Sequence, residues 1–337
     1  MPSNTKSKEA IKNPVLKSIV TVAIVALVTA CGLGLYFNRR QISDFISAKF
    51  FSASPEIAKV GESIELTDKA KIIFYASHPV LESQDEFNFD CDSHDDEISV
   101  LGCYNYGKIY LYDIKNSELA GVVESTAAHE LLHAAWERMG ANEKAEISGY
   151  IKEVYNDEKY HDQLAEDLET YDDSEVVEEL HSRIGTEIAD LPADLEKHYA
   201  KYFRNQDLVV DFYDSYITPF RELSEEVKDL SEKLEKMSAN IDEKTAAYYQ
   251  AADALSAKID EFNNCANTPN CFATETAFYA RRNALLAEQS ALDSTYDELS
   301  DLVEEYNDMV EEYNANILRG EALEEAINSN KKTESIE

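Results

Sequence analysis

The segment ESTAAHELLHAAWERMG (124–140) contains His129-Glu130-Leu131-Leu132-His133, an HExxH pattern. The two histidines are one helical turn apart, so both imidazoles leave the same face of a helix. Imidazoles at that spacing can share one tetrahedral metal ion, and Glu130 is placed to take a proton from a metal-bound water. Lowering the pKa of such a water to about 7 makes hydroxide available at neutral pH, and the cation with nearby donors can stabilise an oxyanion. Ala127, Ala128, Ala134, Ala135 and Trp136 flank the pattern, as do the two leucines within it. The helix is therefore expected to be buried on most sides rather than to carry two surface histidines. A buried histidine pair needs partners for its ring nitrogens, and a metal is the most economical one.

Upstream of this helix the pattern is of β type. KIIFYAS (71–77), SVLGCYN (99–105) and KIYLYD (108–113) are rich in Ile, Val, Phe and Tyr, and are bounded by Pro79, Asp92–Asp96 and Gly107. KIYLYD alternates, with Ile109 and Leu111 on one face and Tyr110 on the other, as a half-buried strand would. A small sheet of three or four strands is expected here. After Asn116-Ser117 the sequence is helical almost to its end, over about 118–139, 142–155, 159–170, 173–189 and 194–205, with Pro192 marking a break.

From Phe220 the apolar period becomes seven. Leu223, Val227, Leu230, Leu234, Met237 and Ile241 step by four and three, and so do Leu292, Tyr296, Leu299, Val303, Tyr306, Val310, Tyr313 and Ile317. Sustained spacing of this kind with charged flanks is a coiled-coil signature. Between the stripes lies NNCANTPNC (263–271), full of turn formers, so the two helices are expected to fold back as an antiparallel hairpin. Tyrosine at seam positions favours a wide intramolecular seam, because its hydroxyl needs a polar outlet.

The chain has 337 residues, with 31 Lys+Arg against 67 Asp+Glu and a net charge of −36. Such acidity argues against nucleic-acid binding, since a phosphate backbone wants a basic face. Only 10 Gly and 7 Pro fit a mostly helical body, and a 44% hydrophobic composition fits a packed core rather than a disordered chain. The charge is uneven. Residues 1–40 hold six basic side chains and one acid, a net of +5 that leaves −41 for the rest. Ser18–Asn38, SIVTVAIVALVTACGLGLYFN, carries no charge and is long enough to cross a hydrocarbon layer as a helix. Four lysines precede it, which places the N-terminus in the cytoplasm and the acidic body outside. A second reading makes Val28-Thr29-Ala30-Cys31 a lipobox with Cys31 lipidated. Cys91 and Cys103, and Cys265 and Cys271, are expected to pair as two local disulfides in an oxidising compartment.

Residues 70–205 resemble the zincin metallopeptidase superfamily, in which an edge strand, here KIYLYD, is followed by the HExxH helix. The resemblance implies a bound zinc ion, with His129 and His133 as ligands and Glu130 as general base. The metzincin continuation HExxHxxGxxH is excluded, because positions 136 and 139 are Trp and Met. In the gluzincin branch a Glu on a later helix completes the site. Glu178-Glu179-Leu180-His181-Ser182 is similar to that branch's Asn-Glu-x-x-Ser/Gly pattern, which maps the third ligand onto Glu179. Glu175, one turn earlier, and Glu187, two turns later, are the alternatives. Gluzincins often carry an Asp four residues after this Glu to orient a ligand histidine, and here that place holds Arg183. His181 is a candidate to support a ligand or donate in the transition state, and Tyr199, Tyr202 and His198 are candidate oxyanion donors. Asp90, Asp92, Asp95 and Asp96 lack the ligand order of a calcium loop and read as a solvated loop, and EDLETYDD (166–173) reads as a solvated helix face.

The sequence thus predicts a mostly helical α+β protein. Its expected parts are a basic cytoplasmic tail (1–17), a transmembrane helix (18–38), a stem (39–54), a zincin-like domain (55–205), a helical hairpin (206–327) and a polar tail (328–337). The expected activity is zinc-dependent hydrolysis of peptide bonds outside the cytoplasm, by an endopeptidase rather than an exopeptidase, with a protein or peptide as substrate. The hairpin is read as holding a protein partner, gating the cleft or setting its height. The competing reading is a non-catalytic cell-surface coiled-coil protein with a structural or degenerate zinc site.

Overall fold

The computed structural model describes residues 14–91, 100–165, 168 and 173–329. Residues 1–13, the acidic positions Asp92, Asp95 and Asp96, most of 166–173, residues 330–337 and the side chain of Cys31 lie outside the described residues. The chain divides into two compact units. One comprises residues up to Ile114, Ala120–Asp214 and the chain from Ser329, and the other Lys115–Leu119 with Ser215–Asn328.

The first unit begins with helices α1 (Pro14–Phe37) and α2 (Arg39–Phe50). Among the described residues no single helix is long and apolar enough to cross a membrane. Thr21–Phe37 and Arg39–Phe50 reach that length and apolarity only together, and they are bent by 63°. The stretch expected as a stem is thus largely helical. Helix α3 (Pro55–Ser63) starts with Pro55 in its first turn and with the Ser54 hydroxyl accepting from the Ile57 N–H.

KIIFYAS, expected as a strand, is instead the body of helix α4 (Asp68–Ala76). The Thr67 hydroxyl caps it by accepting from the Ala70 N–H, and Ala70, Ile73 and Phe74 bury one face at helical spacing. A short apolar run fits either period, and here the cap and the tertiary burial decide. The first strand lies just beyond, at β1 (Val80–Glu82). Helix α5 (Gln84–Asp90) follows, closed by a capping box of Ser83 and Glu86.

Strands β2 (Gly102–Asn105) and β3 (Lys108–Tyr112) form an antiparallel hairpin, and β1 joins β3 in parallel, so the order is β1-β3-β2. Tyr106 and Gly107 turn the hairpin with φ of 51° and 80°, the left-handed pair that suits the twist of a two-residue turn. KIYLYD is therefore the central strand, not an edge. Ile109 and Leu111 face the main core while Tyr110 packs with Phe87 and Cys91 on the opposite side, so both faces are covered. A disulfide joins Cys91, at the end of α5, to Cys103 on β2.

Helix α6 (Val122–Arg138) carries HELLH and is the centre of this unit. It packs on β2, β3, α3, α4 and, most extensively, on α9 (Asp173–Glu187). The small side chains Ala127, Ala128, Ala134 and Ala135 let its neighbours approach closely. Helices α7 (Ala141–Tyr155), α8 (Glu158–Ala165) and α10 (Ala193–Tyr199) complete the bundle.

In the second unit, α11 (Gln206–Ala266, from Ser215 onward) and α12 (Glu275–Ile327) run antiparallel. Asn316 reaches Glu226, Tyr248 meets Tyr296, Lys258 pairs with Glu288 and Arg281 with Glu261, a progression that fixes the register. Leu223, Leu230, Leu255, Leu285 and Leu323 are buried along the hairpin. A Cys265–Cys271 disulfide closes the tip over a cluster of Phe262, Phe272 and Phe278.

Candidate metal centre

His129 and His133 lie one turn apart on α6 and bring their Nε2 atoms to 3.1 Å of each other. Glu179, on the facing helix α9, places Oε1 at 3.5 Å from His129 Nε2 and Oε2 at 3.3 Å from His133 Nε2. One ligand atom from each of the three residues falls within a common 4.8 Å, a group able to hold a metal ion. Glu179 is only 8% exposed, so its carboxylate is taken out of water to face the two rings. Burial alone would push its pKa up, but the two imidazoles outweigh this and hold it well below the usual carboxylate range.

Two imidazoles and one carboxylate converging on one point form a set that suits a first-row dication such as zinc. Burial works against a charged His133, yet hydrogen bonds to Glu178 and Glu179 and the nearby Glu130 push its pKa up to about 10. A ligand histidine must be deprotonated, so a cation entering here displaces that proton.

The alternatives for the third donor separate clearly. Glu175 is exposed. Glu187 makes a two-point pair with Arg183, Nε to Oε1 at 3.0 Å and Nη2 to Oε2 at 3.2 Å, and does not join the group. Arg183 also donates to the carbonyls of Leu164 and Gln163, so it ties α9 to α8.

Glu130 is 5% exposed, beside the group, and its pKa is raised by burial against the lowering pull of His133 and His129. The backbone N–H of Tyr104, on β2, donates to its carboxylate. Gly102 makes this approach possible, since a Cβ there would sit 2.5 Å from Thr126 Cγ2 and 3.0 Å from Glu130 Cγ. Strand β2, which approaches Glu130 in this way, is an edge of the sheet, whereas KIYLYD is its central strand.

Glu178 is a residue the sequence reading passed over. Its Oε1 lies 3.2 Å from His133 Nδ1, a contact that fixes the ring's orientation and leaves Nε2 for the metal. It supplies from the adjacent position the carboxylate that Arg183 cannot. His181, Tyr199 and His198 do not reach the group. His181 Nε2 meets His198 Nε2 at 2.9 Å, the Tyr199 hydroxyl donates to the His181 carbonyl at 2.8 Å, and the Trp136 ring lies against His181. Burial pushes His198 down to about 4 and holds His181 well below the usual imidazole range, as befits a buried cluster apart from the group. Tyr202 is buried with His198 against its ring.

At the other end of α6, Arg138 donates from Nε and Nη2 to the Asp44 carboxylate, both at 3.1 Å, and from Nη1 to the Tyr104 hydroxyl. Tyr104 in turn donates to Glu137, which pairs with Arg40 at 3.0 Å. No family model, curated protein or solved structure matches the chain.

Proposed function

We propose that the chain is a membrane-anchored, extracytoplasmic zinc metallopeptidase, an endopeptidase acting on proteins or peptides. The observation that carries this reading is the convergence of His129, His133 and Glu179 with a buried Glu130 at their side. His129, His133 and Glu179 would hold a zinc ion, which would supply Lewis acidity to activate a water and polarise a carbonyl.

The remaining steps belong to the protein. Glu130, buried beside the group, would accept the proton of the attacking water and pass it to the leaving amine. Glu178 keeps His133 in one tautomer. Tyr104 N–H and the bare Gly102 hold Glu130 in place. The resemblance of HELLH and EELHS to the gluzincin pattern supports the same assignment. Two disulfides accord with an oxidising compartment, and the uncharged Ser18–Asn38 between basic clusters supports a single membrane anchor with the body outside.

The test is Glu130→Gln in the purified chain, assayed on unfolded protein substrates with metal content measured alongside. Hydrolysis is expected to fall by about 100-fold or more while zinc stays near one per chain. Full activity in this variant would sink the mechanism. Zinc retained with no turnover in the parent chain would favour the structural-site, coiled-coil reading.

A further inference from the structure

Helix α2 is built inside out. Its inward face is polar: Asp44 accepts two bonds from Arg138, and the Ser47 hydroxyl meets His78 Nε2 at 2.8 Å and the Ala76 carbonyl at 3.4 Å. Its outward face is apolar. Ile42, Phe45, Ile46 and Phe50 recur at three- and four-residue steps on one stripe and are 39%, 54%, 50% and 82% exposed. No residue of the helix is buried. A helix whose only role was to pack on this body would present the opposite face, because burying those four side chains is the main reward an amphipathic helix offers.

Three observations identify what covers the stripe. The helix follows directly on α1, whose apolar side chains from Val22 to Phe37 are exposed, and the two axes bend by 63°, turning α2 away from the line of the anchor. Arg39 and Lys49 are exposed at the ends of the stripe, and Arg39 lies over the Tyr36 ring at 4.9 Å. The only acid of the helix, Asp44, is turned inward and paired with Arg138. The outer face therefore combines aromatic and aliphatic side chains with positive charge and no acid, on a protein of net charge −36.

We infer that α2 lies in the plane of the membrane interface, with its apolar stripe among the upper acyl chains and Arg39 and Lys49 at anionic headgroups. This rests on the reading of Ser18–Asn38 as a membrane anchor. The helix is more than a second foothold, because Asp44–Arg138 and Arg40–Glu137 tie it to the last turn of α6. The helix that carries HELLH is thereby held at a set orientation to the bilayer.

The experiment uses the full chain carrying Phe45→Trp, reconstituted in vesicles of phosphatidylcholine with phosphatidylglycerol whose upper acyl chains are brominated. The parent chain, whose one tryptophan is the buried Trp136, is the control. The chain should float with the vesicles, and the new indole should emit to the blue and lose about half of its intensity to the bromines. Adding Ile46→Asp, on the same stripe and away from the Asp44 contact, should restore much of that intensity. A chain that floats while the indole emits as in water overturns the interfacial helix and leaves the anchor standing. A blue shift that grows with protein concentration without bromine quenching assigns the stripe to a second copy and also overturns it. A chain that fails to float removes the anchor and this inference together.

Discussion

At the scale of single residues, three glutamates of α9 take three different places around the site. Glu179 faces both imidazoles, Glu178 holds one of them from behind, and Glu187 belongs to Arg183. Each should fail differently. On the proposed zinc reading, Glu179→Ala removes a ligand and should abolish stoichiometric zinc. Glu178→Ala leaves all three ligands but frees the His133 ring, and zinc affinity should fall about 10–100-fold. Glu187→Ala should leave zinc affinity unchanged within error. It should lower stability by about 3 kcal/mol, because a nearly buried guanidinium loses its counter-charge. Competition with a zinc chelator and urea unfolding measure the two quantities, and a Glu187 variant that released zinc while still folded would overturn the assignment. The two histidines and Glu130 were legible in the sequence because their geometry is local, one turn of one helix. Glu179 was legible only through its likeness to a known pattern. Glu178 was not legible, since in EVVEEL an orienting carboxylate and a solvated one look the same until α9 is set against α6.

At the scale of elements, burial decides where propensity is ambiguous. KIIFYAS has the β-branched and aromatic content of a strand, but Thr67 caps it and Ala70, Ile73 and Phe74 face the core at helical spacing. Three-residue β1 has no alternation to read and owes its place to pairing with β3. The alternation of KIYLYD was legible, but its position in the sheet depends on neighbours supplied by distant sequence. The contact of α9 with α6 hinges on Gly185, where a Cβ would lie 2.5 Å from both Leu132 Cδ1 and Tyr199 Cε1. Alanine has the better helix propensity by up to about 1 kcal/mol, but overpacking of this kind costs about 1–3 kcal/mol. Gly185→Ala is therefore expected to lower the urea midpoint, and a raised midpoint would show that the helices separate freely. Strand β1 carries a pH-dependent weakness. Half-buried Glu82 is pushed up to about 7 by burial, by the neighbouring Asp90 charge and hydrogen bond, and by Glu86. Its folded pKa lies above the unfolded value, so the folded state holds the extra proton and stability falls as pH rises through roughly 4.5 to 7. Solvent screening keeps the loss to about 1 kcal/mol or less. Glu82→Gln should flatten this part of the stability–pH curve, and an unchanged slope would exclude the pair as its source.

At the scale of the whole molecule, the two units draw their stability from different sources. The first has a contiguous core running from Ile57 to Val209 and including α6, so its candidate metal site sits in a framework with many independent supports. The hairpin has few fully buried side chains, and Tyr296, Val303 and Ile317 of its heptad stripe remain exposed. Its ion pairs, such as Lys258–Glu288 and Arg281–Glu261, lie at the surface, where each contributes about 0–1 kcal/mol. The tip disulfide then adds a covalent constraint at the turn between the two helices. The bond between Cys265 and Cys271 closes a loop six residues in separation, worth about 2 kcal/mol against the open chain, while Cys91–Cys103 closes twelve and is worth about 3 kcal/mol. Replacing both tip cysteines by serine should fray the ends of α11 and α12, seen as faster amide exchange from about Phe262 to Phe278, with zinc affinity unchanged. Replacing Cys91 and Cys103 instead should loosen β2 from α5, and with it the strand whose Tyr104 N–H holds Glu130. That variant should lose hydrolysis more than zinc. If the tip variant lowered zinc affinity as much as the loss of Glu178 does, the first unit would not be self-sufficient for the site. The division of labour between core and hairpin would then be wrong.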